Sequence, residues 1–217
     1  MQIRRPFLML VTDRHRCSPH PLLEAIELAV AAGVDAVQLR EKDLEAGQLY
    51  ALAVDCRRMT FGRCAFLVNN RLDVALAAGA DGVHLPERCL PLEAARRLVP
   101  PGFLIGRSVH SAAGAREAEA AGADYVQLGT IFETESKPGL EPAGLDVVRD
   151  ATASLGIPCL TVGGIDVMNA GLVLAAGAAG VAVVSAILRA DDIARAVNSL
   201  RHALAVTPVV PLPSRGG

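Results

Sequence analysis

The chain has 217 residues, about one and a half times a typical domain, which allows two small domains or one large α/β barrel. Hydrophobic residues at 52% and charged residues at 20% exclude a disordered chain, and 21 Lys plus Arg against 23 Asp plus Glu leave no net field for nucleic acid or an anionic membrane. Aromatics at 3%, with no Trp, offer few stacking platforms for bases, so the expected partner is a small molecule.

From the N-terminus, Arg4 and Arg5 precede the apolar run Phe7–Val11 (FLMLV), which is too short for a signal peptide and reads as a first strand. A helical stretch over 21–32 then runs into AAGVDAVQL from Ala31, the first of four similar segments. The others are AAGADGVHL from Ala77, AAGADYVQL from Ala120 and AAGAAGVAV from Ala175, with starts 46, 43 and 55 residues apart. Each reads as the end of an Ala-rich helix, a Gly cap, a turn and a β-branched strand. One βα unit takes roughly 25 to 30 residues, so each period holds two.

The gaps supply the other strands: Cys64 to Val68, Phe103 to Arg107 and Pro158 to Val162 join Phe7 to Val11. Further helical stretches fall at 46–60, 71–78, 91–98, 111–121, 143–155, 167–176 and 191–205. Strands that are apolar throughout suit a parallel sheet buried on both faces. Eight βα units without a visible linker predict an α/β chain folded as a single (β/α)8 TIM barrel over residues 1–206, with a doubly wound open sheet as the alternative. The Pro- and Gly-rich tail 207–217 is expected to be disordered or loosely packed.

Five cysteines without a C-x-x-C pair read as thiols of a reducing compartment, and a cytoplasmic, soluble protein is expected. The uncharged stretch Val167 to Leu188 has the length of a membrane span, but Asn169, Ser185, Gly177 and Gly180 divide it into a helix-like and a strand-like part.

A barrel carries its site at the C-terminal ends of its strands. Gly163-Gly164 after the seventh strand and Val184-Ser185 after the eighth suit a phosphate site. Gln38, Arg40 and Lys42 share a side at period two, bringing two cations to the mouth or forming an edge cluster with Glu41 and Asp43. Thr134, Ser136 and Lys137 lie in the loop ETESKPGLEP, suited to closing over an anion or to remaining an ordinary loop. Past the fifth strand, Ser108-Val109-His110 places an imidazole able to take and return a proton near neutral pH, whereas His84 reads as a satisfied core group. Carboxylates for a magnesium site are scarce: Asn69-Asn70 follow the third strand, and Glu87 then Cys89 follow the fourth. No metal or other cofactor is expected.

Taken together, VQLREK from Val37, NNRLDVALAAGADGVHL from Asn69, IGRSVHS from Ile105, ADYVQLGTIFET from Ala123, VGGI from Val162 and GVAVVSAI from Gly180 resemble the thiamine-phosphate synthase superfamily along nearly the whole chain. The resemblance implies a barrel handling a thiazole phosphate, and a homo-oligomer is compatible with it. In the synthase branch, two aspartates hold magnesium against a diphosphate leaving group, where this chain has Asn70 and Cys89. With Leu85-Pro86, IGRSVHS and Phe132-Glu133-Thr134, these departures are similar to the thiazole tautomerase (TenI-like) branch.

That branch implies isomerisation of a carboxylated dihydrothiazole phosphate to its aromatic tautomer, with His110 as catalytic acid–base and with phosphate contacts from Gly164, Val184 and Ser185. Arg107 or Arg40 would receive the substrate carboxylate. Gln38, Arg40, Lys42, Asn69, Ser108, Thr134, Ser136 and Lys137 complete the expected ligand contacts. Gln38, Arg40, Lys42, Ser108, Thr134 and Lys137 match positions that bind pyrimidine diphosphate in synthases, so synthase activity is the alternative, and a non-catalytic binding protein the second.

Overall fold

Strands that are apolar on both sides have to be covered on both sides, and closing them into a ring does so without leaving an edge. In a computed structural model, which describes residues 3, 6–135, 139 and 141–206, eight parallel strands close in sequence order. They are β1 (Phe7–Val11), β2 (Ala36–Leu39), β3 (Ala65–Asn69), β4 (Gly82–Leu85), β5 (Leu104–Val109), β6 (Tyr125–Leu128), β7 (Cys159–Val162) and β8 (Gly180–Val183). Pairing of Phe7 with Gly180 and of Leu10 with Val183 joins the last strand to the first, which rules out the open sheet. The tail 207–217 and the expected ligand residues Ser136 and Lys137 lie outside the described residues.

The helices are α1 (Leu22–Ala32), α2 (Ala46–Thr60), α3 (Leu72–Ala77), α4 (Leu92–Leu98), α5 (Ala112–Ala120), α6 (Gly144–Thr152), α7 (Ala170–Ala175), α8 (Ser185–Leu188) and α9 (Ile193–Ala205). Two differences from the sequence reading bear on the mouth. The predicted helix from 167 begins only at Ala170, because Asn169 Oδ1 accepts the Asp166 N–H at 2.9 Å and its Nδ2 donates to the Gly164 carbonyl at 2.8 Å, fixing a turn instead. The four-residue α8, directly after β8, has too few residues for any periodicity to reveal it.

Alternation along the strands produces two hydrophobic cores. Met9, Leu67, Tyr125 and Leu160 point inward and fill the barrel, while Leu8, Leu10, Phe66, Val126 and Val181 point outward under the helices. Each fully buried large apolar side chain contributes about 1.5–3 kcal/mol relative to exposure.

The fourfold repeat also has a mechanical meaning. Its glycines, Gly33, Gly79, Gly122 and Gly177, all take left-handed conformations with φ between 65° and 103°, turning the chain from helix to strand. The Asp two residues on then accepts a backbone N–H from the preceding strand: Asp35 from Leu8 at 2.7 Å, Asp81 from Phe66 at 2.8 Å and Asp124 from Ile105 at 2.7 Å. Arg201, Arg57 and Arg96 pair with these carboxylates at 2.8, 2.9 and 2.6 Å. In the fourth repeat Ala179 stands in place of Asp and keeps only the backbone bond, from its N–H to the Cys159 carbonyl at 2.7 Å. These struts rivet the end of the barrel opposite the mouth.

Candidate active site

Parallel strands bring all their C-terminal ends to one face, and there a cavity of about 260 Å³ opens into the barrel. Its floor follows the repeat. Gln38, His84, Gln127 and Ala182 occupy the same position of the four segments, and all four line the cavity. Gln38 and Gln127 direct their amides at Met9 Sδ, at 3.7 and 3.0 Å.

His84 lies between Tyr125 OH, 3.1 Å from Nδ1, and Ser108 Oγ, 2.8 Å from Nε2. Burial, reinforced by the charges of Arg40 and Arg107, pushes its imidazole down to about 3, so the ring is neutral. Tyr125, fully buried, is pushed upward and keeps its proton. A neutral imidazole has one donor and one acceptor nitrogen, so each hydrogen bond on one side fixes the sense of the other. The network therefore orients the Ser108 hydroxyl at the cavity wall.

The walls carry the ionic groups. Arg40 and Lys42 face the cavity from the end of β2, as the period-two reading requires. Thr12 Oγ holds this segment by accepting the Arg40 N–H at 2.8 Å and donating to the buried Glu41 at 2.7 Å. The Arg40 guanidinium makes no hydrogen bond or ion pair with another described residue, and burial lowers it from its ordinary value while Asp13 and Glu41 oppose the shift. A guanidinium remains charged even so. Asn69, Ser108 and Thr134 also line the cavity.

On the adjoining wall Gly163 and Gly164 adopt φ of 100° and 66°, and Gly164 has no room for a Cβ against the backbone of Phe132 and Glu133. Val184 and Ser185 complete this side-chain-poor face. Backbone N–H groups can approach an anion closely on such a surface.

His110 stands at the rim, half-exposed, because Ser111 caps α5 by accepting the Gly114 N–H at 3.0 Å and so ends β5 just before it. Its Nδ1 is hydrogen-bonded to the Gly129 carbonyl. A carbonyl only accepts, so Nδ1 carries the proton, and Nε2 is left 3.9 Å from Glu87 Oε2.

Arg107 is placed differently from the expectation. It follows Ile105 and precedes Val109 on the outward face of β5 and does not line the cavity. Its guanidinium donates to the carbonyls of Glu87 at 2.6 Å and Leu90 at 3.4 Å and to Cys89 Sγ at 3.2 Å. Of the two candidate carboxylate receivers, only Arg40 reaches the cavity. Asp13 and Glu87, at the strand ends but given no ligand role by the sequence, also line the cavity, and Gln127 was missed altogether. The repeat register would have found Gln127, which is the counterpart of Gln38.

The resemblance implies magnesium held by residues 70 and 89, and the residues present do not fit it. Asn70 and Cys89 lie outside the cavity lining. The Cys89 thiol, raised by burial, donates to the Pro86 carbonyl at 2.8 Å. An amide and a protonated thiol give a hard divalent ion no negative charge, and only the amide supplies an oxygen. Among the described residues no group of three or more His, Cys, Asp or Glu could hold a metal ion.

A profile described as thiamine monophosphate synthase matches residues 8–187. The chain is 43% identical over 196 residues to a thiamine-phosphate synthase of Coprothermobacter proteolyticus, covering 90% of this chain and 93% of the relative. It is 46% identical over 200 residues to one of Methanoculleus marisnigri, covering 91% and 95%. The structure of a thiamine phosphate pyrophosphorylase from Pyrococcus furiosus superposes with a TM-score of 0.85 at 35% identity, covering 94% and 97%.

These relatives correct the isomerase reading. It rested chiefly on Asn70 and Cys89, whereas the likeness to proteins named for synthase activity runs through the whole barrel. The physical reason is one of placement: neither Asn70 nor Cys89 is part of the cavity lining. No helix among the described residues is long and apolar enough to cross a membrane.

Proposed function

The chain belongs to the thiamine monophosphate synthase family, and on that premise we propose that it is a thiamine-phosphate synthase, a transferase joining a pyrimidine diphosphate to a thiazole phosphate. The observation that carries this reading is the 43–46% identity to relatives of that name over nine-tenths of the chain. Two different anion-binding faces in one cavity support it. The glycine-lined face of Gly163, Gly164, Val184 and Ser185 receives the thiazole phosphate through backbone N–H groups. The cationic face of Arg40 and Lys42, with hydroxyls from Ser108 and Thr134, receives the diphosphate.

Chemically, the transfer needs the two ligands held in line and charge stabilisation on the departing diphosphate. The Arg40 guanidinium, half-buried and without a hydrogen bond or ion pair to another described residue, is preorganised for that charge. Ser108, oriented by His84, offers a hydroxyl at the same wall. His110 holds its Nε2 toward the rim, where it can exchange a proton with the bound ring, and Gly129 fixes its orientation. Gln38 and Asn69 contact the ring system at the floor and at the end of β3.

The test is direct turnover. The purified protein is given thiazole phosphate and pyrimidine diphosphate, with and without magnesium, and thiamine phosphate and released pyrophosphate are followed. Formation of both products in equal amounts is expected in at least one arm. No thiamine phosphate in either arm, from protein that still binds thiazole phosphate, would overturn the assignment.

A further inference from the structure

We infer that a cross-link made by Arg107 stands where a divalent cation would otherwise shape the mouth between β4 and β5, so this protein binds a diphosphate group without a metal ion. The inference rests on the reading above that a diphosphate enters the cavity.

The loop after β4 is already closed by protein groups. Arg107 reaches it from the outward face of β5, donating to the Glu87 and Leu90 carbonyls and to Cys89 Sγ, while the Cys89 thiol itself donates to Pro86. A fixed positive charge thus lies 3.2 Å from the only heteroatom of the Cys89 side chain. A divalent cation drawn to that position would meet like charge, and the carboxylate of this loop, Glu87, faces His110 Nε2 at 3.9 Å instead. Charge for the ligand comes instead from Arg40, whose guanidinium faces the cavity without a hydrogen bond or ion pair to another described residue, Asp13 and Glu41 acting on it only at longer range.

The geometry also makes restoration of a metal site a three-residue problem. Asn70 sits at φ 63°, a conformation that Asp tolerates, and its N–H is held by the His84 carbonyl at 2.8 Å, so Asn70→Asp keeps the backbone. An Asp introduced at position 89 lies within reach of Arg107 and pairs with it, which removes it as a ligand.

The experiment titrates magnesium into the ligand-free protein by calorimetry, in the wild type, in Asn70→Asp/Cys89→Asp, and in the same pair with Arg107→Met. No saturable binding in the millimolar range is expected for the wild type. The double variant gains less than about threefold, and the triple variant binds at least about tenfold tighter than the double. Sub-millimolar magnesium binding by the wild type, or a triple variant no tighter than the double, overturns the inference.

In parallel, inorganic pyrophosphate is titrated into the wild type with magnesium and with a chelator. Affinities within about threefold are expected, and a gain of tenfold or more with magnesium refutes metal-independent binding. Failure of pyrophosphate to bind under both conditions counts against the proposed function, and the magnesium titrations of the ligand-free protein still decide the role of Arg107.

Discussion

Replacing His84 by Gln should flatten the acid side of the stability profile. In the native protein the His84 imidazole is buried and pushed down to about 3, while in the unfolded chain it titrates near its ordinary value of about 6.5. Between those values the unfolded chain binds a proton that the folded chain refuses. Native stability from this group is therefore complete above about pH 6.5 and is lost as the pH falls toward 3.

At about 1.4 kcal/mol per pH unit, a drop from pH 8 to pH 5 spans about 1.5 units below the unfolded value and costs about 2 kcal/mol. Gln does not titrate, and Gln38 and Gln127 already occupy the matching positions of two other repeats, so the side chain suits this floor. Urea unfolding followed by circular dichroism at the two pH values should show the wild type losing about 2 kcal/mol more than His84→Gln. The other titrating groups are common to both proteins and cancel in the difference. Equal losses within about 0.5 kcal/mol would refute a buried neutral His84 and the fixed orientation of Ser108 that follows from it.

Two further changes probe the rivets and the cationic wall. Asp124→Ala leaves the Ile105 N–H without its acceptor, costing about 1–3 kcal/mol, and the third-exposed Arg96 pair adds at most about 1 kcal/mol. A fall in Tm of roughly 5–10 °C is expected by calorimetry, and a change under about 1 °C would mean the strut is ornamental. Arg40→Met removes a charge-assisted contact of about 1.5–3 kcal/mol, so calorimetric titration should find pyrophosphate binding weaker by roughly 10- to 100-fold with the melting temperature little changed. Unaltered affinity would place the diphosphate elsewhere.

Much of the barrel was legible because its signals are local. The AAG-x-D segments announce helix end, left-handed cap and strand start within nine residues, and uninterrupted apolar strands announce a sheet covered on both faces. The expectation that Gln38, Arg40 and Lys42 share a side needed only the two-residue period of a strand, and Arg40 and Lys42 do line the cavity with Gln38. The same period places Arg107 on the opposite side from Ser108, so its outward direction was implicit in the choice of Ser108 as a cavity residue.

What sequence could not supply was distance across the barrel. Chain order fixed eight strands, their parallel direction and the end at which polar residues gather, since each follows from propensity, capping and alternation along one segment. Whether Cys89 is a vacant ligand or a member of a closed loop depends on Arg107, 18 residues away, and the orientation of the His84 ring depends on its hydrogen bond to Tyr125, 41 residues away. Hydrogen bonding and desolvation act through space, so only the closed barrel, which brings those strand ends together, determines which polar groups face the ligand and which hold the mouth in shape.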